Sequence, residues 1–148
     1  MIAVKVMMDW NSLRVGESFG PYKYDITPEI ASRYRDALSD NEIQTLDSVA
    51  IVPPTLLTFP VLQMVDDKYF QRPGMVHTQQ DYTFLAPVAV GEKLTTVGIL
   101  THMFLKRERR FLEIETSTRN ERGQEVLTAR MQLMHPPDSL PDASGRPK

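Results

Sequence analysis

The chain has 148 residues, 41% of them hydrophobic and 24% charged, with a formal net charge of −2. That length suits one domain able to bury about two thirds of its unfolded surface. The near-neutral balance excludes a general nucleic-acid surface, which needs a clustered basic excess, and the absence of cysteine excludes disulfides, thiolate metal sites and a cysteine nucleophile.

In chain order, the first ten residues hold a short apolar run from Ile2 to Met8 broken by Lys5. This is too short for a signal-peptide core with its cleavage site, and no run approaches the ~20 apolar residues of a membrane span. The expectation is a cytoplasmic protein that does not engage a membrane. Phe19, Tyr22, Tyr24 and Ile26 suggest a strand, with Gly16 and Gly20-Pro21 as turn signals. Thr27-Pro28-Glu29 then combines a hydroxyl N-cap, a proline at the first helical position and an acid in the first turn. Ile30, Tyr34, Ala37 and Leu38 follow at helical spacing, predicting an amphipathic helix over 28–38.

After Pro53-Pro54, the residues Leu56, Leu57, Phe59, Val61, Leu62, Met64 and Val65 leave almost no polar face before Asp66-Asp67. A helix apolar all round belongs inside a protein, and Pro60 should kink it or loosen its first turn. From Met75 the period becomes two. Segments 76–85, 94–104, 110–119 and 125–134 read as four long strands, with Lys106–Arg109 as a charged turn and Asn120-Glu121-Arg122-Gly123 as a hairpin loop. A lone apolar helix beside such a meander must hide its circumference under the sheet. The predicted class is α+β: an antiparallel sheet wrapped around a long buried helix. Residues 1–135 form the single domain and 136–148, with four Pro and one Gly, a disordered tail.

The stretches VGESFGPYKYDITPEIASRYRDALSDNEIQ and VPPTLL, with GMVHTQQDYTFLAPVAVGEKLTTVGIL and LEIETSTRNERGQEVLTARM, resemble the MaoC-like hydratase/dehydratase family, and in particular its N-terminal-type, non-catalytic half. The similarity runs from Val15 to Met134. It implies a hot-dog fold and a unit of two hot-dogs, as a homodimer or as a heterodimer with a second hot-dog protein. An acyl-CoA or acyl-carrier-protein thioester would lie across their interface. The implied reaction is reversible loss or addition of water at a 3-hydroxyacyl or 2-enoyl thioester, with no cofactor and no metal.

That reaction needs a base for the C2 proton, an acid for the departing hydroxyl and donors for the thioester oxygen. Catalytic members of the family carry an Asp-x-Asn-Pro-x-His loop after the first helix. The matching segment here is Ser39-Asp40-Asn41-Glu42-Ile43-Gln44-Thr45. With Asn41 as anchor, Gln44 takes the histidine's place; with Asp40 as anchor, Thr45 does. Neither can shuttle a proton near neutral pH. The resemblance therefore implies a subunit that needs a second hot-dog for its acid–base pair. The alternatives are an acyl-CoA thioesterase and a non-catalytic thioester-binding subunit.

The candidate catalytic residues are Asp40, Gln44 and His77. Asp40 also reads as a solvated turn residue. His77 shares a strand face with Gln79 and Asp81, and reads as a hydrogen-bonding edge residue, the commoner case, or as a relocated acid–base group. His102, on a face with Leu94, Leu100 and Phe104, reads as a core or interface histidine, and His135 as a surface one. Candidate substrate-binding residues are Asn41, from the loop, and Thr55, Leu56 and Leu57. The amides of the last three open the second helix, where a thioester oxygen finds donors; a plain capped helix start is the equal alternative. The basic cluster Lys106-Arg107-Arg109-Arg110 reads as a solvated turn or as a contact for phosphates of coenzyme A or a carrier's prosthetic arm.

Overall fold

The structure, a computed structural model, describes residues 9–39, 42–69 and 74–136. The predicted tail beyond Pro136, and Asp40 and Asn41, lie outside the described residues. Strand β1 (Ser18–Asp25) leads through Ile26 into helix α1 (Pro28–Ala37). As the sequence predicts, Thr27 caps it, its hydroxyl accepting from the Ile30 amide at 3.2 Å. A two-strand ladder, β2 (Thr45–Leu46) and β3 (Val49–Ala50), precedes a 3₁₀ turn at Pro54–Leu57 and helix α2 (Thr58–Tyr69). Four strands complete the chain: β4 (Val76–Phe84), β5 (Lys93–Lys106), β6 (Arg109–Asn120) and β7 (Glu125–His135).

The main sheet is antiparallel throughout, in the order β1-β5-β6-β7-β4. The last three strands form a meander because their turns are short. Asn120 organises the second turn, its Oδ1 accepting from the amides of Arg122 and Gln124, with Gly123 supplying the positive φ of 77°. The first turn has no glycine. Arg107 (φ 49°) and Glu108 (φ 61°) both occupy the left-handed region, the signature of a type I′ turn, at about 1–2 kcal/mol each.

One sheet face carries the core. Leu94 and Leu100 of β5, Leu112 and Ile114 of β6, and Leu127, Met131 and Leu133 of β7 are buried against α2 through Leu57, Val61, Met64, Val65 and Tyr69. Phe19 of β1 faces Gly98 of β5 in register. Its ring fills the space a side chain there would need, since a Cβ on Gly98 would fall 2.2 Å from Phe19 Cζ, and it meets Tyr69 edge-on at 5.2 Å.

This is the hot-dog arrangement, with one difference from the expectation. The helix is not enclosed. Phe59 is 67% exposed, and Gln63 and Asp67 also face out. Five strands cover one side of a helix about 18 Å long, so its far side, with Phe59 among polar neighbours, remains open. The proline effect falls where expected: the chain enters α2 through a 3₁₀ turn rather than a regular α-turn. Helix α1 buries Ala31 and half-buries Tyr34, while Ile30 and Leu38, placed on its apolar face by spacing, are exposed.

Candidate active site

Two depressions meet at the start of α2. The first, about 260 Å³, is lined wholly by apolar residues, among them Ile51, Pro54, Leu57, Phe84, Leu85 and Val88. The second, about 370 Å³, shares Ile51 and Pro87 with it and is bordered by Leu46, Val49 and the Arg122–Glu92 ion pair, 3.6 Å. Sequence places them together: the extended segment 51–53 runs beside the β4–β5 connection, the Val52 amide donating to the Val88 carbonyl at 2.8 Å and Val90 to Ala50 at 2.9 Å. Leu46, Val49, Phe84 and Leu85 around this cleft are all exposed. Exposed apolar side chains grouped at a depression mark a candidate ligand or partner surface.

Thr55 stands at the mouth of the helix. Its hydroxyl accepts from Tyr34 of α1 at 2.7 Å, and its carbonyl from the Thr58 hydroxyl at 2.8 Å. Leu56 and Leu57 are buried core residues. The Leu56 amide already donates to Pro53 at 3.0 Å, which removes it from the set of thioester donors. Gln44 is exposed, and its carbonyl accepts from the Ile51 amide at 2.9 Å. Gln44, one of the two residues that could stand at the family's histidine position, thus hydrogen-bonds to the segment that forms the cleft wall.

The histidines fall differently from the strand pattern. The β4 register shifts between His77 and Gln79, a β-bulge that places an extra residue, Thr78, and reverses the alternation. His77 consequently leaves the face of Gln79 and Asp81 and turns toward α2, its Nε2 lying 3.2 Å from Asp66 Oδ1. Gln79 and Asp81 pair with each other at 2.8 Å on the other face. A second bulge, between Leu100 and His102, turns His102 outward. It is no core residue: its side chain is 63% exposed and pairs with Glu113 at 3.3 Å. His135, expected at the surface, is 1% exposed, because Trp10 packs edge-on against it at 5.5 Å and Arg110 lies over Trp10. No strand-level signal could have revealed that cover.

His77 does not join the cleft. Asp66 lies eleven residues beyond Thr55, on the order of 15 Å along the helix. Beside the His77–Asp66 pair stand Gln80 and Tyr82, the Gln80 amide donating to the Tyr82 hydroxyl. Burial raises the Tyr82 phenol above its ordinary value, hydrogen bonds to Gln80 and Thr58 pull it down, and the Asp66 charge adds to the rise. Burial likewise pushes up Tyr69, with the Glu17 carboxylate reinforcing it. Both remain neutral phenols at physiological pH. A further depression, about 630 Å³, lies on the outer sheet face among Asp81, Val97, Ile99, Glu115 and Arg130. The sheet separates it from α2, and Arg130 and Glu115 are already paired at 3.1 Å, so it is not the candidate site.

A five-strand antiparallel sheet in this order over one helix defines a hot-dog protein. The family model for the FAS1-like, dehydratase domain region matches residues 14–129, and the chain belongs to that family, among the MaoC-like hot-dog dehydratases. Solved structures share its fold. One is a chain of the HadBC (3R-hydroxyacyl-ACP dehydratase) complex from Mycobacterium tuberculosis, with TM-score 0.68 and 18% identity over 82% of this chain and 96% of that one. Another is the (R)-hydratase from A. caviae involved in PHA biosynthesis, with TM-score 0.70 and 19% identity over 84% and 98%. A third is a MaoC-like dehydratase from Rhodospirillum rubrum, with TM-score 0.72 and 12% identity over 88% and 99%. No curated protein matches the sequence. Among the described residues, no helix is long and apolar enough to cross a membrane.

Proposed function

We propose that this chain is one hot-dog of a hydro-lyase acting on 3-hydroxyacyl or 2-enoyl thioesters, and that a second hot-dog supplies the acid–base pair. The carrying observation is the cleft at the start of α2: every residue lining it is apolar. Both described His–carboxylate pairs, His77–Asp66 and His102–Glu113, lie away from it. Such a cleft can hold and dry an acyl chain. It cannot by itself remove the C2 proton or protonate the leaving C3 hydroxyl.

In this reading the acyl chain lies along Ile51, Leu57 and Phe84, and the thioester carbonyl sits near Thr55. Tyr34 holds the Thr55 hydroxyl in place. The partner's base takes the C2 proton and its acid delivers a proton to the departing hydroxyl, which leaves as water; the reverse sequence hydrates the enoyl double bond. Asp40 and Asn41, which lie outside the described residues, stay candidates for catalysis and substrate binding on the family resemblance alone. The exposed far side of α2 and the apolar rim of the cleft are the surfaces the second hot-dog covers. This domain is taken to end near His135.

The test is hydration of a 2-enoyl thioester, followed by loss of its conjugated absorbance, with the chain alone and with a hot-dog carrying Asp-x-Asn-Pro-x-His. Turnover only in the mixture is the expected result. Vigorous turnover by the chain alone sinks the partner-dependent version.

A second reading, thioester hydrolysis, draws on the His77–Asp66 pair, which sets an imidazole and a carboxylate beside the central helix where a water could be activated. Steady release of free thiol from an acyl-CoA, lost in His77→Gln, would favour it.

A further inference from the structure

The apolar cleft at the start of α2 is continued by a depression of different chemistry. At about 260 Å³ the cleft falls below the roughly 300–1,000 Å³ that ligand pockets span. It shares Ile51 and Pro87 with the second depression, about 370 Å³. The two follow one another along the chain. Pro54 lines the first and Val49 of β3 the second, and extended backbone between them spans on the order of 15 Å.

Leu46, Val49 and Ala89 carry the apolar lining onward, but Asp47, Glu92 and Arg122 now join it. Glu92 is held in place. Its Oε2 accepts from the Ala89 amide at 2.8 Å, its Oε1 lies 3.6 Å from Arg122 Nη2, and its side chain is 23% exposed. Asp47 stands at the turn between β2 and β3, and its carboxylate takes part in none of the hydrogen bonds or ion pairs among the described residues.

Resting on the thioester reading above, we infer that the second depression receives the distal end of the acyl chain, and that the acyl group selected is long and hydroxylated at that end. With the thioester near Thr55, the chain passes Leu57 and Ile51 and arrives beside Asp47. A methyl-terminated chain of that length strips water from Asp47 and from the Glu92–Arg122 pair and returns no hydrogen bond. A hydroxyl both donates and accepts, so it serves carboxylate and guanidinium together. An ammonium is the poorer fit, because it meets Arg122 in the same depression. The reverse orientation fails on charge. Phosphates placed here would face two carboxylates and one guanidinium that Glu92 already engages, so the polar arm of the thioester leaves on the Thr55 side.

The test titrates the intact chain with crotonyl-CoA, hexadecenoyl-CoA and the ω-hydroxy and ω-amino forms of hexadecenoyl-CoA, and repeats the series with two variants. Asp47→Gly removes the carboxylate at a residue whose φ of 49° glycine adopts freely. Val49→Trp fills the depression from an exposed position. In the wild type the ω-hydroxy chain is expected to bind at least fivefold tighter than the plain one, and tighter than the ω-amino one. Asp47→Gly should bring the plain and hydroxylated chains within twofold. Val49→Trp should weaken both about tenfold and change crotonyl-CoA by less than twofold. Unchanged melting midpoints establish that the variants are folded, and the wild-type comparison does not depend on them. Equal binding of the plain and hydroxylated chains, or binding of neither, overturns the inference. So does tighter binding of the ω-amino chain, a preference that survives Asp47→Gly, or a Val49→Trp effect that extends to crotonyl-CoA. Hydration in the mixture with a second hot-dog is scored separately. Hydration of crotonyl-CoA without a hydroxyl preference sinks this inference and leaves the proposed function standing, and a hydroxyl preference without hydration does the reverse.

Discussion

The two ends of α2 are opposites. At its start, Leu57 lines a wholly apolar cleft in which Phe84 and Leu85 are exposed. At its far end, Tyr69 is buried against Phe19, Lys68 pairs with Glu17 at 3.1 Å and Asp66 with His77 at 3.2 Å. The cleft at the first end has no titratable lining, Asp47, Glu92 and Arg122 bordering only the depression beside it, whereas the second end carries paired titratable groups. One short helix therefore separates an open apolar surface from the packed anchor of the fold, and the proposed function puts the acyl chain at the first.

Breaking the packed end should have the largest effect. Phe19→Ala is expected to cost about 3–5 kcal/mol, read by urea unfolding; a loss below about 1 kcal/mol would mean this end does not anchor the domain. Gly98→Ala should cost about 1–3 kcal/mol by overpacking and become nearly free in the Phe19→Ala background, since the ring is what it strikes. Additive losses would contradict that contact.

Filling the open end tests the other half of the contrast. Leu85→Trp should weaken binding of an acyl thioester about tenfold, or about 1.4 kcal/mol, with stability nearly unchanged because Leu85 is exposed. Unaltered affinity would place the acyl chain elsewhere. His77→Gln severs a half-exposed pair and should cost under about 1 kcal/mol while leaving hydration by the paired hot-dogs intact. Abolished turnover in a folded variant would show that the far end does share in the chemistry. The smallest effect is expected from Tyr69→Phe. The buried Tyr69 hydroxyl has no hydrogen-bond partner among the described residues, so its removal should be neutral or slightly stabilising in thermal unfolding.

Much of this was legible in the residues. Thr27-Pro28-Glu29 announced α1, the Asn120–Gly123 loop its hairpin, and period-two alternation four long strands, because each rests on contacts within a few residues. Pro53-Pro54 marked the entry to the second helix, which the structure places beside the cleft. What escaped depends on long-range partners. Phe59 looks as apolar as Val61, and only the finite reach of a five-strand sheet decides which is covered. His135 looks like a strand-end residue until Trp10, more than a hundred positions earlier, closes over it. The lack of an imidazole in the segment 39–45 can be read directly from the residues, whereas the meeting of His77 with Asp66 needed the bulge at Thr78.

That bulge makes the inward-facing set of β4 a matter of parity. One inserted residue, at no cost in overall topology, exchanges which half of the strand looks at the helix and which at water. A one-residue insertion or deletion at Thr78, or at its counterpart Thr101, could therefore bring a histidine to the helix or remove it without any histidine being gained or lost. Within such a family, reactive groups can migrate across a sheet by a change in count alone.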